Sequence, residues 1–95
     1  MTEQERAQLN REMNNLIRRI TDEVYYPNRF DQMVRALGAY DAICAVLSPG
    51  HVTDGFSRLW EEGRQDLTIE QYVLGTALSH HFPESVLAEA RRRLS

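Results

Sequence analysis

His80 and His81 stand side by side in the stretch LSHHFPES, and imidazole is the side chain best suited to ligating metals and moving protons near neutral pH. A metal centre needs several donors converging at about 2.0 to 2.3 Å on one ion. Successive side chains on an α-helix diverge by about 100°, so on a helix these two rings leave the axis on different sides. Neither has a second His or Cys three or four residues away, and Glu84 is the only carboxylate close by. Position offers another explanation, because an imidazole in the last turn of a helix can bond free carbonyls and complement the helix dipole. His80 then shares a side with Ile69, Val73 and Thr76 and is partly buried, while His81 lies nearer Leu74 and Ala77. Neither a metal centre nor a cofactor is expected.

Nucleophilic catalysis fares no better. Cys44 sits among Ala42, Ile43, Ala45 and Val46, whereas reactive thiols need positive, partly exposed surroundings. No serine is framed by a glycine elbow, and the glycines at 38, 50, 55, 63 and 75 match neither a phosphate loop nor a dinucleotide fingerprint. Asp41 is the lone charge in ALGAYDAICAVL, so it needs either a cationic or hydroxyl partner in the core or a place at the rim. With no other catalytic parts around it, an enzyme is not expected.

The elements that would position these residues read as helices throughout. TEQE opens the first, with Thr2 as cap and Glu5 reaching back to complete a capping box. Leu9, Met13, Leu16, Ile17, Ile20 and Val24 then recur at steps of three and four. Pro27 breaks this helix by pushing Tyr26 toward extended geometry, and Asn28 can cap the next. A second helix runs to Leu47 and is apolar nearly all round in its later half, the mark of the buried centre of a bundle. Pro49 and Gly50 end it; Thr53 and Asp54 offer a cap for a short third helix with Val52, Phe56, Leu59 and Trp60 on one face. Thr68, with Gln71 and a Leu67 to Tyr72 staple, starts a fourth helix that includes the two histidines, and Pro83 starts a fifth. Val86, Leu87, Ala90 and Leu94 face inward on that last helix, with Glu89 and Arg93 as a surface pair. The expectation is all-α: one compact domain over residues 1–95, five helices at about 3–25, 29–47, 54–62, 69–81 and 83–94, with an apolar central second helix.

Composition narrows the partners. At 95 residues the chain suits one small domain, and no apolar run approaches the roughly 18 residues of a membrane span. The opening MTEQERAQLN has no secretory pattern and a lone Cys44 makes no internal disulfide, so a cytoplasmic location is expected. A formal net charge of −3 argues against bulk attraction to nucleic acid or anionic lipid. All 11 basic residues are arginine, which suggests a GC-rich coding genome. Arg91, Arg92 and Arg93 fall at the far end of the last helix, whereas recognition helices read bases from their beginning, here the acidic FPES.

Surface remains. Tyr25, Tyr26, Asn28 and Arg29 form a corner of types enriched at binding hot spots. Glu61, Glu62, Asp66 and Glu70 form an acidic patch suited to a basic partner. The expected function is that of a small non-enzymatic protein-binding domain, an inhibitor, adaptor or assembly factor in a bacterial or phage setting. Small acidic helical chains of this class include bacterial immunity proteins and phage anti-CRISPR inhibitors; no residue motif here matches either. Its partner is expected to be another protein, such as a nucleic-acid-handling complex, and a homodimer is compatible with the narrow stripe of the first helix. The alternative is a helical nucleic-acid-binding or transcriptional accessory protein using the C-terminal arginine cluster.

Overall fold

The computed structural model describes residues 1–50 and 54–95. The expected cap at Thr53 and the positions of His51 and Val52 lie outside the described residues. The chain is all-α, with six α-helices, two short 3-10 turns and no strand among the described residues. It forms two compact units, Met1–Ile43 and Cys44–Ser95, and the boundary falls within the helix Ala39–Val46.

In the first unit, α1 spans Glu3–Glu23. Its capping box is complete: the Thr2 hydroxyl accepts from the Glu5 amide at 3.0 Å and the Glu5 carboxylate accepts from the Thr2 amide at 2.9 Å. Leu9, Met13, Ile17 and Ile20 are buried, so the expected stripe is the inward face. The helix stops two residues before the expected end, where the Val24 and Tyr25 amides both turn back to the Ile20 carbonyl. Pro27 accounts for that, since the residue before a proline is driven out of helical geometry.

The expected second helix is two helices. α2 spans Asn28–Leu37 and α3 spans Ala39–Val46, which raises the count from five to six. Gly38 separates them with φ 85° and ψ 160°, a conformation open essentially to glycine alone. Its amide still closes α2 on the Val34 carbonyl at 2.9 Å, and α3 then starts with help from outside its own sequence: the Asn10 side-chain oxygen accepts from the Ala39 amide at 2.8 Å. An asparagine of α1 thus caps α3 from 29 residues away. Pro27, not Asn28, occupies the cap position of α2; Asn28 begins the helix and its side chain accepts from Gln32 at 3.1 Å. The apolar expectation for the later half holds, with Ala39, Ala42, Ile43, Val46 and the following Leu47 all buried.

In the second unit, α4 spans Asp54–Glu61 and ends where Gly63 takes φ 70°. A 3-10 turn over Gln65–Leu67 leads into α5, Ile69–Gly75. Thr68 is almost fully buried, and its hydroxyl donates to the Gln65 carbonyl at 2.8 Å while accepting from the Gln71 amide at 3.1 Å. One oxygen therefore ends the turn and begins the helix. Thr68→Ala is expected to cost about 1 to 2 kcal/mol in urea denaturation, with Thr68→Ser retaining most of it; a Thr68→Ala midpoint equal to wild type would remove the cap from the account.

α5 is shorter than expected. It stops at Gly75, the Thr76 hydroxyl accepts from the Leu78 amide at 3.2 Å, and a second 3-10 turn covers Ser79–His81. α6 then runs over Glu84–Leu94, packed on α5, with Val86, Glu89 and Ala90 buried. The histidines thus belong to a connecting turn, not to the end of a long helix.

Candidate partner-binding site

The chain reversal after α1 places Tyr26 at a corner. Its ring is 49% exposed, yet its hydroxyl donates to one carboxylate oxygen of buried Asp31. The other oxygen accepts from Arg35 at 3.3 Å, one helical turn further along α2. The Tyr26 hydroxyl bond, with Arg35 behind it, holds the Asp31 carboxyl below its ordinary range. In return, that bond to a carboxylate pushes the Tyr26 phenol up, so it stays a neutral donor. A half-exposed ring whose hydroxyl is anchored has little rotamer freedom left to lose on binding.

Around it, Asn28 and Arg29 are exposed and Tyr25 is half-buried. The Asn28 amide is tied to Gln32, whereas the Arg29 guanidinium has no ion-pair partner among the described residues. Three of the four residues of this corner are therefore exposed and Tyr25 is partly covered. Asp31 and Arg35 were missed from sequence, although their spacing of four on a helix is a readable ion-pair signal.

The acidic patch does not hold together. Glu61 and Glu62 are exposed, but Asp66 is clamped by Arg64 through two contacts at 3.1 and 3.2 Å. Glu70 is buried and paired with Arg93 at 3.0 Å, so it cannot be part of an exposed surface. The reason is desolvation: a carboxylate facing the interior must take a cation with it. Of the face expected to pack on α4, Leu59 is buried, whereas Trp60 is 41% exposed with the Phe56 ring 5.5 Å away.

The arginine cluster is likewise occupied. Arg91 pairs with Glu84, Arg92 with Glu89, and Arg93 with both Glu70 and Glu89. Arg93 and Glu89, expected as a surface pair, are only 9% and 6% exposed in their side chains. The Arg93 guanidinium also donates to the Val46 carbonyl at 2.9 Å and the Ser48 carbonyl at 3.2 Å, capping the end of α3. Hydrogen bonds from Arg92 and then Arg93 hold the Glu89 carboxyl down to about 2.

Other candidates scatter. Asp41 is exposed, taking the rim rather than a core partner, and Cys44 is half-buried. His80, expected partly buried, is exposed, while His81 is half-buried; their ring centroids are 4.0 Å apart with planes 40° from parallel. Successive side chains leave this 3-10 turn about 120° apart, so the approach of the two rings, contrary to the expected divergence, comes from their side-chain torsions and not from the backbone. No helix is long and apolar enough to cross a membrane among the described residues. Comparison with protein-family models, with curated proteins and with solved structures finds no match to the chain.

Proposed function

We propose that the chain is a small non-enzymatic protein-binding domain that engages another protein through the Tyr26 corner, as an inhibitor, adaptor or assembly factor in a bacterial or phage cytoplasm. The observation that carries this reading is the half-exposed Tyr26 ring, locked through Asp31 and Arg35. Tyrosine and arginine are among the residue types enriched at the energetic centre of interfaces, and exposed Arg29, with no ion-pair partner among the described residues, lies three positions along the chain from this anchor. The arginine-only basic complement supports the setting.

The nucleic-acid alternative has less support. Phosphate binding draws on free cations, and Arg91, Arg92 and Arg93 already satisfy carboxylates of the same chain.

Quantitative capture from extract of the native host tests the proposal. Tyr26→Ala combined with Arg29→Ala is expected to weaken the specific partner at least ten-fold, while Glu61→Arg with Glu62→Arg leaves it in place. Circular dichroism must show the variants folded. An identical set of proteins at identical yield on the folded Tyr26→Ala, Arg29→Ala variant would sink the reading.

A further inference from the structure

The histidine turn is not used by the Tyr26 reading and carries a separate consequence. Gly75 ends α5, and the chain tightens into a 3-10 turn at Ser79–His81. Within that turn the two adjacent imidazoles stand at a centroid distance of 4.0 Å. A ligating nitrogen of His80 and one of His81 lie within 4.8 Å of each other.

Two imidazole nitrogens bound to one zinc or copper ion at about 2.0 to 2.1 Å each can stand no more than about 4.2 Å apart. The residual movement is well under 1 Å by these figures, and it falls on an accommodating side chain. His80 is exposed, so its ring can swing without disturbing packing, whereas half-buried His81 supplies the better-held donor. We propose that His80 and His81 form a bidentate site for a late first-row divalent ion, with Cu²⁺ bound more tightly than Zn²⁺. Imidazole suits both ions, and the general order of divalent affinities puts copper first.

The test uses the untagged full chain, stripped of metal and titrated with CuSO₄ and then, in a fresh sample, with ZnCl₂. Calorimetry is expected to give one equivalent of saturable Cu²⁺ binding, and electron paramagnetic resonance a spectrum with coupling to two nitrogens. His80→Ala and His81→Ala each lower the affinity at least ten-fold, and the double variant abolishes the site. A second measurement needs no variant: substoichiometric Cu²⁺ should broaden the amide resonances of residues 79–81 of the wild-type chain before any others. Broadening centred elsewhere, or saturable binding that survives in the double variant, overturns the assignment; so does the lack of a saturable site in the wild type.

Discussion

Arg93→Met is expected to remove about 3 to 5 kcal/mol of folding stability, the cost of stripping a buried pair of one partner. Two carboxylates accept from that guanidinium, Glu70 at 3.0 Å and Glu89, which Arg92 also holds, at 2.8 Å, and the Arg93, Glu70 and Glu89 side chains are less than one-tenth exposed. The same group donates to the carbonyls of Val46 and Ser48, where α3 ends and its last carbonyls lack intrahelical donors. Arg93→Lys keeps the charge but not the fork, since one ammonium cannot reach acceptors on both sides of a planar group; it should recover only part of the loss. Adding Glu70→Gln and Glu89→Gln to Arg93→Met should recover more than the lysine does, because replacing a whole buried ion cluster costs less than orphaning its charges. Urea denaturation measures all of these, and a loss below about 1 kcal/mol in Arg93→Met would show the cluster to be incidental. The acid limb carries an independent signature. The folded Glu89 carboxyl sits at about 2, below the ordinary 4.5, so its contribution is complete above pH 4.5 and is lost as pH falls toward 2. Asp31 in the other unit shifts the same way. Arg92, the larger cause of the Glu89 shift, stays in place, so Arg93→Met should weaken the acid sensitivity of Cys44–Ser95 only in part and leave that of Met1–Ile43 unchanged.

Gly38→Ala should cost about 1 to 3 kcal/mol through backbone strain alone. A Cβ at this position meets nothing within 4 Å, so no side-chain clash contributes. The whole penalty comes from holding an L-residue at φ 85°. The chain's way out is to continue α2 straight into α3, which an alanine favours, but that route carries Ala39 away from Asn10 and opens the 2.8 Å bond between them. Both routes lower stability. D-alanine at position 38, introduced by chemical synthesis, accepts the positive φ and should be neutral or stabilising. Equal stability of the L-alanine and D-alanine chains would refute the account.

These two positions also mark where sequence reasoning runs out. The capping box at Thr2 and the stripe from Leu9 to Ile20 depend on residues within one or two turns of each other, and both appear as read. Gly38 sits in a window whose apolar pattern continues on both sides, and an interior glycine alone is tolerated in a helix at about 1 kcal/mol. What decides the break is Asn10, 29 residues earlier, which no local pattern records. Glu70 was placed on the surface for the same reason, its cation lying 23 residues further on. One signal was legible and passed over. Val86, Glu89, Ala90 and Arg93 follow the spacing of zero, three, four and seven, the buried face of α6, so two charged residues occupied core positions together. Of the binding corner, Pro27 and Asn28 announced the turn, while the anchoring of Tyr26 depended on Asp31 being buried, a tertiary fact.

The reach of Arg93 sets an order of events during synthesis. Its carbonyl acceptors lie 47 and 45 residues upstream, and its carboxylates precede it too. A chain built at roughly 5 to 20 residues per second contains Glu70 for about one to five seconds, and the Val46 and Ser48 carbonyls for longer, before Arg93 is joined to it. Met1–Ile43 is different, because the bonds from Asn10 to Ala39 and from Tyr26 to Asp31 are internal to it. The first unit has its polar partners as soon as it is made, whereas the second cannot complete its buried ion cluster until Arg93 has been added.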